Sequence, residues 1–172
     1  MPTRKPADQS AAVYRIHPAA FWISLFVGLL LQVSLPLKIP LARLFDFPLI
    51  LTVYFALVRR SKVFGIALGT GLGLVQDALS HGLIGMFGIA KGLVGYLAAS
   101  ASLKFDMEQL GARYVLTGVL VAVHRLLVVG LQNILFESAP PFVPLDLASA
   151  VIVNVALALI CYQVLDRFRQ PA

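Results

Sequence analysis

Residues 69 to 82 read GTGLGLVQDALSHG. Gly69, Gly71 and Gly73 sit in an apolar run that ends in Gln76 and Asp77, with no cation beside them in sequence. Extended upstream, Gly65, Gly69 and Gly73 recur every four residues, a doubled GxxxG pattern. Lipid-embedded helices gain little by burying oil against oil, so they associate where small residues let backbones approach. Gln76 and Asp77 follow Gly73 by three and four residues and share its helix face. The stretch therefore predicts a membrane helix that packs closely and carries a carboxylate inward.

The composition agrees. Of 172 residues, 59% are hydrophobic and 13% charged, with a mean hydropathy of +0.88. Soluble domains carry about 25% charged residues. Six apolar segments are expected, over about 19–36, 45–58, 63–79, 83–103, 114–136 and 146–165. The second is short for a bilayer core of about 30 Å. Pro36 and Pro40 are expected to break the chain between the first two segments. Short links elsewhere force antiparallel neighbours. The apolar run from Ala19 past Leu31 has no A-x-A-like site after it and reads as a retained signal anchor. The expected fold class is an all-α integral membrane protein with six transmembrane helices. It divides into a basic tail over 1–18, a membrane domain over 19–166 and a tail over 167–172.

The net charge of +6 reads as membrane topology rather than nucleic-acid binding. Arg4, Lys5, Arg15, Arg59, Arg60, Lys62, Lys104, Arg113, Arg167 and Arg169 fall on one side of a six-span layout, against Lys38 and Arg43 on the other. The positive-inside rule then places both termini in the cytoplasm.

Lys91 and Arg125 fall inside spans. Gly88, Gly92 and Gly95 form a second small-residue face, with Lys91 on it. Lys91 lies about 12 Å from the outer end of its span at 1.5 Å per residue. Asp46, Asp77, Glu137 and Asp146 are all expected near outer span ends. Asp77 is the expected partner of Lys91, reached along the flexible lysine stem. Arg125 has no acid at its own depth; helix carbonyls, Gln76, Gln132, Asn154 or an external anionic group remain its candidate partners. Gln76, Asp77, Lys91 and Arg125 thus form either an internal polar network or a contact for a ligand or partner.

Other chemistry is missing. Asp77 and His81 stand at i, i+4, but no third metal ligand follows. There is no P-loop and no GxSxG elbow. Leu74 occupies the last glycine position of a GxGxxG match. The lone Cys161 reads as a packing residue, and His17 and His124 lack catalytic neighbours. The expectation is a non-enzyme without metal or cofactor.

The stretch from Phe45 to Ser100 resembles the core of the rod shape-determining protein MreD family. The features that carry the likeness are a second span closed by ALVRR, and a glycine-rich third span running into Leu74-Val75-Gln76-Asp77. The next span then places Gly85, Gly88, Lys91, Gly95 and Tyr96 at matching intervals. This chain has Asp46-Phe47-Pro48 where the family often has Pro-Asp. The resemblance implies a non-enzymatic component of the bacterial inner membrane. Such a protein binds MreC, a single-span protein, and helps link MreB filaments to the synthases RodA and penicillin-binding protein 2. It also implies a fold similar to the six-helix substrate-binding subunits of energy-coupling-factor transporters, so a vitamin-transporter subunit is the alternative. The scaffold reading expects a tight bundle with an apolar groove for a partner's helix. The transporter reading expects an outward polar pocket around Asp46, Gln76, Asp77, His81, Glu137 and Asp146.

An enzyme reporter that works only in the cytoplasm, fused to the C-terminus, is expected to be active; activity solely from a periplasm-specific reporter would reverse the topology.

Overall fold

The computed structural model describes residues 14–80, 83–105, 109–135 and 143–171. Among them are six α-helices: α1 Pro18–Lys38, α2 Phe47–Arg59, α3 Lys62–Leu79, α4 Met86–Lys104, α5 Leu110–Leu135 and α6 Pro144–Asp166. A 3-10 turn, Pro40–Leu44, precedes α2. Five segments are long and apolar enough to cross a membrane: α1, Leu41–Arg59, α4, α5 and α6. The 18-residue α3 is not one of them, because its four glycines, Gln76 and Asp77 dilute its hydropathy. This is the architecture of a multi-pass membrane protein.

α2 is the axis of the bundle. Every residue from Pro48 to Val58 is buried. A helix that is apolar all round belongs inside, and α2 packs against all five of the other helices. Its 13 residues span only about 20 Å; its head at Asp46 is buried among other helices, whereas Arg59 at its last residue is exposed. α1 is the converse: only Leu25 and Gly28 are buried along it.

Pro36 does not end α1 as expected. It lies in the last turn, where a missing N–H orphans a single carbonyl, and the helix continues to Lys38. Tyr14–Ile16 (β1) pairs antiparallel with Arg169–Pro171 (β2), so the two ends of the described chain meet at one end of the bundle. Arg4 and Lys5, counted above for topology, lie outside the described residues.

The tightest contact in the fold is α3 on α4. All six glycines of the two faces lie in it. A Cβ on Gly65 would stand 2.8 Å from the Gly95 carbonyl carbon, and one on Gly69 would stand 2.6 Å from that of Lys91. Gly73 faces the backbone of Phe87 and Gly88, Gly88 faces Leu74, and Gly92 faces Thr70. At Gly65, Gly69, Gly73 and Gly95 the obstacle is backbone, which leaves no room for any side chain. Gly71, on the opposite side of α3, has nothing within 4 Å of its Cβ position.

Gly69→Val is therefore expected to abolish monodisperse folded protein in detergent, while Gly71→Ala keeps or raises the yield by the helix-propensity difference of up to about 1 kcal/mol. Size-exclusion profiles of fluorescent fusions measure both; equal profiles would argue against a backbone-on-backbone contact.

Candidate functional site

The chain between the 3-10 turn and α2 is a break in helical structure inside the bundle. Away from water, each of its backbone polar groups needs a partner. The bundle supplies them from three other helices, and a fourth pairs with the Asp46 side chain. Gln32 of α1 donates to the Phe45 carbonyl (3.2 Å) and accepts from the Phe47 N–H (3.0 Å). Asn154 of α6 accepts from the Asp46 N–H (2.8 Å) and donates to the Leu44 carbonyl (2.8 Å). Arg125 of α5 donates to that same carbonyl at 3.3 Å. Lys91 of α4 reaches Asp46 itself.

Asp46 is the N-cap of α2. Its Oδ1 accepts from the Leu49 N–H at 3.0 Å, which satisfies one of the free donors of the first turn. Its Oδ2 lies 2.7 Å from Lys91 Nζ. The lysine side chain is fully buried and Asp46 is 6% exposed. His124 completes the group, with Nε2 3.4 Å from Lys91 Nζ and Nδ1 3.9 Å from Asp46 Oδ2. An ammonium can only donate, so Nε2 is the acceptor and the proton sits on Nδ1. That Nδ1 is buried without a hydrogen-bond partner. Phe87 stacks on the imidazole at 6.1 Å and lies 4.9 Å below the ammonium, a cation–π contact.

Asp77 has a different task from the one expected. It does not bond Lys91. Its Oδ2 accepts from the N–H groups of Gly85 (2.9 Å) and Gly88 (3.2 Å), and its Oδ1 from that of Phe87 (3.1 Å). A carboxylate of α3 thus caps α4, where unpaired N–H groups and the helix dipole both favour negative charge. Gly85, at φ 105°, lets the chain turn into that cap. The pairing with Lys91 fails for a reason of depth. Asp46 is not at an outer end, because α2 is short and begins within the bundle, level with Lys91.

The remaining expected residues scatter. Gln76 is buried beside Asp77 with its Oε1 unpartnered. Asp146 lies on the exposed first turn of α6. His81 and Glu137 lie outside the described residues. Gln32 carried no signal in the sequence beyond being polar within an apolar run. His124 was visible only as a histidine next to Arg125 in an apolar span. Among the described residues no group of three or more His, Cys, Asp or Glu could hold a metal ion.

A second polar cluster holds the opposite end of α2. Arg113, expected in an exposed link, is 2% exposed. It pairs with Asp166 at 2.9 Å and lies over the rings of Tyr54 and Tyr162 at 4.9 and 4.4 Å. Tyr54 donates to Asp166 (2.9 Å), and Arg169 bonds Asp166 at 2.9 Å. Arg60 donates to the Ser102 carbonyl.

No family model, curated protein or solved structure matches this chain.

Removing one member of a buried ion pair leaves a stranded charge, which costs about 3–5 kcal/mol. Asp46→Asn and Lys91→Met are each expected to lower thermal stability sharply, and the double variant to recover much of the loss. Asp77→Asn combined with Lys91→Met is expected to add, within about 0.5 kcal/mol. Strong coupling in the second cycle and none in the first would refute the observed pairing.

Proposed function

We propose that the protein is a non-enzymatic scaffold of the bacterial inner membrane, with both termini cytoplasmic. In this reading it belongs to the cell-elongation machinery in the manner of MreD proteins. It binds an MreC-like single-span partner and so helps couple MreB filaments to RodA and penicillin-binding protein 2. The observation that carries this is where the charges of the resembling stretch go. Asp77 spends both oxygens on the backbone of α4, and Lys91 is taken up by Asp46 and His124. The glycines are taken up by α3 on α4. Residues spent on internal contacts make a rigid body, which suits a docking platform better than a substrate pocket. The meeting of β1 with β2 supports an even number of spans, with α3 as the sixth.

A second reading is favoured by one feature. Discontinuous helices with converging polar side chains at membrane depth are how many transporters hold substrates. The break at Leu44–Phe47 has that form, and it supports a vitamin-transporter subunit with the fold of the energy-coupling-factor proteins.

A mild-detergent pull-down of the tagged protein from native membranes, followed by mass spectrometry, separates the two. Recovery of a single-span partner with cell-wall synthases is expected. Recovery of an ATPase pair with a membrane coupling subunit, or sub-micromolar vitamin binding by the purified protein, would replace the scaffold by the transporter.

A further inference from the structure

A groove of about 470 Å³ opens between α1 and α6, with α2 as its floor. Ala20, Val27 and Leu31 line it from α1, Cys161 and Val164 from α6, and Leu51 from below. The hydroxyl of Ser24, also in the wall, is already bonded to the Phe21 carbonyl at 2.8 Å. The surface on offer is therefore almost wholly apolar. Gly28 shapes it, since a Cβ there would meet the Leu51 side chain that forms the floor.

Shape admits a flexible occupant. A single acyl chain is one methylene wide and bends to the walls it is given. An empty slot would forfeit dispersion contacts along its whole lining.

Position selects the leaflet. The groove starts at His17 and Phe168, beside the β1–β2 ribbon, and rises along α1 to Leu31. That rise is about 21 Å at 1.5 Å per residue. It matches one leaflet, half of a hydrocarbon core of about 30 Å plus part of the headgroup layer.

Charge selects the headgroup. The end of the bundle where the groove begins carries Arg59, Arg60, Lys62, Lys104, Arg113, Arg167 and Arg169 among the described residues. Among the described residues the acid there is Asp166, which is engaged by Arg113 and Arg169. Arg167 is exposed and adjoins Phe168 at the groove's mouth. His17 accepts at Nδ1 from the Ala19 N–H, leaving its other ring nitrogen for a headgroup. Basic residues near an anionic leaflet attract its headgroups.

We propose that the α1–α6 groove is a binding site for one acyl chain of an anionic phospholipid drawn from the leaflet at the terminus end, with its phosphate held by Arg167 and His17. The inference stands apart from the scaffold reading and holds for either function above.

Native mass spectrometry of the purified full chain tests it, after reconstitution with phosphatidylglycerol or phosphatidylcholine. One retained phosphatidylglycerol per chain is expected, favoured several-fold over phosphatidylcholine. Val27→Trp fills the groove and is expected to lose that lipid, whereas Ile152→Trp, on an exposed face of α6, keeps it. Arg167→Gln is expected to retain a lipid but lose the headgroup preference. Cys161 is the sole cysteine, so its alkylation by a maleimide reports on the wild-type groove directly; phosphatidylglycerol should slow it several-fold and phosphatidylcholine should not. Equal retention in Val27→Trp, equal affinity for the two lipids, or a wild-type dimer that Val27→Trp dissociates would each overturn the proposal, the last by assigning the groove to a second copy.

Discussion

An ammonium 2.7 Å from a carboxylate, both shut away from water, fixes where the central helix begins. Either charge alone would be costly at that depth. Together, with the Leu49 N–H on one carboxylate oxygen and the Phe87 ring under the ammonium, they are tolerated. α2 begins inside the bundle, although Arg59 at its far end is exposed. Its first residues must find partners inside the bundle, and Gln32, Lys91, Arg125 and Asn154 bring α1, α4, α5 and α6 into register around them.

That arrangement depends on a second one. The glycine faces bring α3 and α4 so close that the N-terminus of α4 falls on Asp77. The carboxylate then satisfies three N–H groups at once and bonds the head of α4 instead of Lys91. Lys91 is released toward α2. One close backbone contact thereby decides two charge assignments, and a bulkier residue at Gly69 or Gly73 would disturb both.

The opposite end of α2 is held by aromatic and guanidinium groups rather than by a lone ion pair. Tyr54, Tyr162, Arg113 and Asp166 join α2, α5 and α6, and Arg169 brings in the chain's last described strand. α1 is tied to the head of α2 by Gln32, and the gap between α1 and α6 is the apolar groove.

Much of this was legible in the order of residues. Apolar runs and their spacing predict six helices with short links, and boundaries differ from those observed by a few residues, apart from the head of α5. The four-residue glycine period marks both close-packing faces, because a helix repeats nearly every four residues whatever surrounds it. Asp77 was readable as an inward carboxylate for the same reason. The partner of Lys91 was not. Depth counted along a helix is measured from that helix's own end, and only the tertiary structure sets where α2 begins relative to α4. Arg113 was misplaced in a link for a like reason, since its burial comes from Tyr54, Tyr162 and Asp166, which are distant in sequence. Local periodicity determined the elements and their faces; the joining of Lys91 to Asp46, and of Asp77 to the head of α4, was decided by how far each helix extends once packed.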